Sequence, residues 1–175
     1  MQMNNERFSL LFDHHYWAMN TLIEVMSKLS ESRLTTQSIH FYHGTAKQTL
    51  LHTLDVDWSW MQWCMGLPAK SYLWEVCPLP DLDAMRAFLK EESQRVREYV
   101  SGLTEQELEA EIDFGTEAGG PPRRTQRWKI LLHIITHAAE HKTELAHFLT
   151  ECGHSPGELN FMHYLTNVSH PYSAR

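Results

Sequence analysis

Little in this chain suits a disulfide framework. Its 175 residues hold only three cysteines, Cys64, Cys77 and Cys152. An odd number without CxxC spacing fits free thiols in a reducing compartment. Long apolar runs are missing too. None approaches the roughly 20 residues that span a bilayer, so no membrane association is expected. Positive charge is scarce: 15 Lys and Arg against 22 Asp and Glu leave a formal net charge of −7. That argues against nucleic acid as a partner, because such a groove needs a basic stripe. The opening residues, Met1 to Arg7, lack the apolar core of a signal peptide, and the expected location is cytoplasmic. Strand-length alternation and internal repeats are absent as well.

What is present is helical spacing. Hydrophobic residues make up 42% and charged residues 21%, enough for a real core in one domain over residues 1–175. Phe8, Leu11, Phe12, His15, Met19, Leu22, Ile23 and Met26 trace one face of a first helix, from about Asn4 to Ser30. A polar stretch from Ser30 to Ser38 leads across. The second helix runs from about Thr45 and stops at Gly66-Leu67-Pro68. Asp81 or Asp83 caps the third, which carries Met85, Leu89, Val96 and Val100. Thr104 to Glu107 has the capping-box spacing of one short extra turn. Ile112 to Arg124 is rich in Gly and Pro and reads as loop or a small irregular hairpin. The fourth helix starts near Thr125 and ends at Cys152-Gly153, and a short C-terminal helix spans about Glu158 to Thr166. Four long amphipathic helices in one small domain predict an all-α four-helix bundle, whose sites are built from facing helices.

Twelve histidines is a high count for this length. His137 and His141 are four apart, and on a helix such positions share a face and can hold one metal ion. His52, on another helix, would complete a three-nitrogen site with one position open, the catalytic kind. Its helix face includes Thr45, Thr49, Val56, Ser59 and Trp63, closer to a pocket wall than to an aliphatic core stripe. A hydrogen-bonded packing histidine is the plainer alternative. A zincin is rejected, because Ala138 stands where the catalytic Glu must follow the first His. A ferritin-like di-iron site is rejected too: Glu144 and His147 have the spacing, but no second long helix matches it. Wheel geometry alone leaves His133 open as a substitute within the pair. The remaining histidines, His14, His15, His40, His43, His147, His154, His163 and His170, are taken mostly as surface or packing residues. Glu144, one turn beyond His141, is a candidate fourth ligand, general base or partner of an imidazole N–H, and Asp55 has the same options beside His52. The basic segment with Arg123, Arg124 and Arg127 is either solvated or a seat for an anionic cofactor group.

The ordered set of motifs resembles the DinB/YfiT-like superfamily across nearly the whole chain. Tyr16-Trp17-Ala18-Met19-Asn20 matches its opening stretch; His52, Asp57, Trp60 and Gly66 match its second-helix motif; Thr136-His137-Ala138-Ala139-Glu140-His141-Lys142 matches its last long helix; Gly153, Pro156, Tyr164 and Leu165 match its close. Thr136 stands where Asn is usual, and Lys142 where Arg is usual. The resemblance implies a crossed, up-down-down-up connection and a homodimer. It also implies a divalent metal held by His52, His137 and His141. Some relatives are transferases or isomerases that use low-molecular-weight thiols. The expected function is therefore a metal-dependent enzyme acting on a small-molecule substrate, either a thiol-dependent transferase or a hydrolase. The alternative is a non-enzymatic metal-binding or stress-related dimerisation module. Zinc or nickel is the expected ion, with iron or manganese next, since imidazole sites accept several metals. Trp58, Trp60 and Trp63 point around most of the second helix, so at least one is expected in a subunit contact. Asp57 points away from His52 on the wheel and reads as structural.

Overall fold

The computed structural model describes residues 4–67, 71–114 and 123–169. The helices are α1 (Asn5–Met26), α2 (Glu31–Thr35), α3 (Ala46–Cys64), α4 (Leu73–Val76), α5 (Leu82–Gly102), α6 (Glu105–Glu109), α7 (Arg127–Glu151) and α8 (Phe161–His163), the last continuing as a π-helical turn over Tyr164–Ser169. Two short strands, β1 (Glu111–Phe114) and β2 (Arg123–Gln126), pair antiparallel with Asp113 opposite Arg124.

Local chemistry sets the helix starts. The Asn4 side chain accepts from the Arg7 N–H, Thr45 from Gln48, and Asp81 (rather than Asp83) from Ala84. Thr104 and Glu107 form the reciprocal capping box that begins α6. Gly66, at φ +73°, follows the end of α3, a conformation that a Cβ disfavours. The long helices then pack through their apolar faces: α1 lies along α5 and α7, and α3 lies along α7 and more lightly against α5. Phe8, Met19 and Leu22 of α1, Leu50 and Leu54 of α3, Met85 and Val96 of α5, and Leu131 and Leu145 of α7 are all buried. Each such side chain contributes roughly 1.5–3 kcal/mol relative to an exposed position.

The structure departs from the periodicity at element ends. The first helix stops at Met26, because the Ser30 side chain is the N-cap of α2, accepting from the Arg33 N–H. Helices of four and five residues, such as α4 and α2, are too short to register as a period. Thr125 and Gln126 belong to β2, so the fourth long helix begins at Arg127. The fold is thus mostly helical with a small sheet: of the loop and the small hairpin expected at Ile112 to Arg124, the paired ends β1 and β2 match the hairpin, and the span 115–122 lies outside the described residues. Asn160, not Glu158, opens the last helix, which packs Phe161 and Tyr164 around His14 of α1. Trp58, Trp60 and Trp63 all remain partly exposed, Trp60 resting on Phe114 and His133. Among the described residues, no helix is long and apolar enough to cross a membrane.

Candidate metal centre

The packing of α3 on α7 brings His52 to His137 and His141. One helical turn separates the latter two, and their Nε2 atoms lie 3.3 Å apart. The His52 ring centroid stands 5.3 Å from that of His137 and 5.1 Å from that of His141. A fourth imidazole joins them. His43 stacks on His52 with centroids 3.7 Å apart and lies 5.3 Å from His141. One nitrogen each of His43, His52 and His141 falls within 4.8 Å of the other two. The sequence sets His43 among surface and packing histidines; the structure packs it on His52, with a ring nitrogen within reach of the cluster. His43 sits in a loop, where no period aims a side chain, and its only sequence signal is its place two residues before the α3 N-cap Thr45.

That loop is closed by its own backbone. Ser38 N–H donates to the Gly44 carbonyl, and Gly44 N–H donates to that of Phe41. Gly44 adopts φ +87°, and a Cβ there would meet Gln48 Oε1 at 3.3 Å. Gly44→Ala is therefore expected to cost at least about 1 kcal/mol of stability, read as a lower denaturation midpoint at constant slope. An unchanged midpoint would show that the loop does not need this conformation.

Three of these imidazoles, His43, His52 and His137, are held toward the neutral form. Burial first, then the neighbouring imidazoles, pulls the His52 pKa down to about 4. Burial and His141 likewise lower His43 and His137. Lone pairs are thus available at neutral pH, as metal ligation requires. His141 is oriented by Glu144, whose Oε2 lies 2.9 Å from Nδ1. A carboxylate accepts, so the proton sits on Nδ1 and the Nε2 lone pair faces His137. Of the three roles open to Glu144, the geometry matches the partner of an imidazole N–H. His137 Nδ1 is buried without a hydrogen-bond partner among the described residues.

Beneath the cluster runs a buried polar chain. Asp57 Oδ2 lies 2.9 Å from His15 Nε2 of α1, and His15 Nδ1 lies 3.4 Å from Lys142 Nζ of α7. All three side chains are buried, and Asp57 has the structural place expected of it. Burial lowers the Lys142 pKa to about 8, with Asp57 opposing the shift, and burial lowers His15 against the same carboxylate.

Other sequence candidates lie elsewhere. Asp55 accepts from the Leu73 N–H, fixing the start of α4. Arg124 pairs with Asp113 across the hairpin, Arg127 donates to the carbonyls of Cys64 and Glu107, and Arg123 is exposed. His133 is exposed and packs on Trp60. Thr49 is buried, and Thr45, the α3 N-cap, lines a separate cleft with Gln48, Leu79 and Met85, so neither stands beside the imidazoles. The wall is instead Gln48, Leu51 and Trp74, which with His43 and His52 line a cleft of about 330 Å³. Cys64 is no nucleophile, since burial pushes its thiol up to about 12.

Neutral imidazoles converging from facing helices, with one ring nitrogen fixed by a carboxylate, define a helical protein with a candidate metal site. A search of curated proteins finds no match. The model of the DinB family matches residues 1–170, and the chain belongs to that family, which is a metal-binding one.

Proposed function

We propose that the protein is a metal-dependent enzyme whose divalent ion is held by His52, His137 and His141. The distance between the Nε2 atoms of His137 and His141 carries this reading. Two nitrogens about 2.05 Å from one tetrahedral ion stand about 3.3 Å apart, and imidazole centroids on such an ion stand about 5 Å apart. The centroid separations among His52, His137 and His141 are 5.3, 5.1 and 4.6 Å. His43 is stacked face to face on His52, an arrangement that suits a neighbour better than a co-ligand. Zinc and nickel suit this donor set, with iron or manganese also accommodated.

A bound divalent ion supplies Lewis acidity, favouring the deprotonated form of a thiol or water at an open position. The chain's own groups supply the rest. Glu144 holds His141 in the ligating tautomer. Leu51 and Trp74 offer apolar walls to a small-molecule substrate, and Gln48 offers a polar contact. We take a low-molecular-weight thiol as the co-substrate in a transferase reaction, with hydrolysis as the variant on the same site. The cobalt-substituted protein should then gain a sulfur-to-metal charge-transfer band when the right thiol is added. Joint replacement of Cys64, Cys77 and Cys152 should leave the band in place. A band that vanishes with the cysteines would make the thiol internal, and no band with any cellular thiol would remove the transferase reading.

A second reading rests on His43. Four imidazole donors would close the coordination sphere, as in structural sites, and give a non-enzymatic metal-binding or dimerisation module. His43→Ala separates the two: an open three-histidine centre retains its metal, whereas a closed four-histidine centre loses most of its affinity.

The assembly proposed around this site is one domain over residues 1–175, with crossed up-down-down-up connections. The packing pairs α1–α5, α5–α3, α3–α7 and α7–α1 support it, because they put α1 diagonal to its successor long helix α3. A cytoplasmic homodimer completes the proposal. Partly exposed Trp58, Trp60 and Trp63, together with exposed Tyr72, Trp74 and Val76, support a subunit contact. Light scattering at tens of micromolar should report a dimer; a strictly monomeric mass would contradict it.

A further inference from the structure

We infer that the protein carries a second divalent-metal site on its surface, formed by His40, His147 and Glu151. None of these residues belongs to the central cluster. His147 and Glu151 are one turn apart on α7, with His147 Nε2 3.3 Å from Glu151 Oε1. His40 reaches them from the loop before α3, with Nε2 2.7 Å from Glu151 Oε2. One ligand atom of each residue lies within 4.8 Å of the other two. The two imidazoles stand edge to face with centroids 5.1 Å apart, close to the separation of about 5 Å for two rings on one tetrahedral ion.

The arrangement is held in place before any ion arrives. Phe41, next to His40, is buried against Phe148, next to His147, with ring centroids 5.1 Å apart. The closed backbone of residues 38–44 limits the freedom of His40 further. Two imidazoles and one carboxylate suit borderline divalent ions such as zinc, nickel or copper. The carboxylate neutralises part of the ion's charge, and solvent fills the remaining positions, since the His147 side chain is 63% exposed. Binding here is accordingly weaker than at the central site. An ion at this position clamps onto α7 the same loop that carries His43 to the centre.

The test is a calorimetric titration of untagged, metal-free protein with Zn²⁺ near pH 7.5. The wild type should show a tight class and a weaker class, each close to one equivalent. His147→Gln and Glu151→Gln, at exposed helix positions where folding is not at stake, should each remove the weaker class and leave the tight one. His52→Ala should do the reverse, so failure of the central reading and failure of this one give different results. Absence of a weaker class in the wild type would overturn the proposal and leave only a polar contact between His40 and Glu151. So would a weaker class that survives both substitutions.

Discussion

Zinc buffered about a thousandfold above its dissociation constant should raise the stability of the metal-free protein by about 4 kcal/mol. For a domain of this size that is on the order of 10 °C in melting temperature. His52→Ala, His137→Ala and His141→Ala should each abolish most of the shift. His133→Ala and His147→Ala should not, because His133 packs on Trp60 and His147 stands at the outer end of α7. Loss of the shift in His133→Ala with retention in His141→Ala would move the site by one helical turn. Acid should act in two ways. Protonated imidazoles cannot ligate, so the shift fades below roughly pH 6. The metal-free fold weakens as well. The pKa of His52 falls from 6.5 unfolded to about 4 folded, so the unfolded chain binds more protons between these values. Stability is then present above the unfolded pKa and lost as pH falls through that window.

The second large effect belongs to Asp57. Replacing it with Asn leaves Lys142 and His15 buried without their carboxylate, and losing one partner of a buried ionic group typically costs about 3–5 kcal/mol. Denaturant unfolding at pH 7 should show that loss. Adding Lys142→Met should recover much of it, since an apolar side chain of similar length removes the uncompensated charge. A loss under about 1 kcal/mol in Asp57→Asn would mean that water or rearrangement already screens the chain. Wild-type stability should also rise between about pH 8 and 10.5. The Lys142 pKa is about 8 in the fold against 10.5 in the open chain, so the unfolded state holds the extra proton there.

Features governed by neighbours in sequence were legible before the fold. Thr104 and Asp81, the latter one of two aspartates open in the sequence, cap helices because each offers an oxygen to an N–H three residues on, a relation that needs no tertiary structure. His137 and His141 share a face because the helix repeat makes them do so. His52 was marked by the mixed polar and aromatic face of its helix and by resemblance, but its approach to that pair depends on how α3 lies on α7. His43, His40 and the Trp74 wall were not legible at all, because they enter from a loop and a four-residue helix whose positions only packing decides. The options for Glu144 and Asp55 looked alike in sequence. Geometry separates them, since one carboxylate faces an imidazole nitrogen and the other a backbone N–H. The basic run at Arg123 to Arg127 was read without its partners: Asp113 arrives across the hairpin, and the carbonyls of Cys64 and Glu107 from α3 and α6.

Elemental analysis of untagged protein, loaded with zinc and then exchanged into metal-free buffer, tests the three-histidine centre most directly. The wild type and His43→Ala should retain close to one ion per chain, and His137→Ala should retain almost none. Equal retention by the wild type and His137→Ala would contradict the ligand set, and a wild type that retains no ion would contradict the metal centre itself.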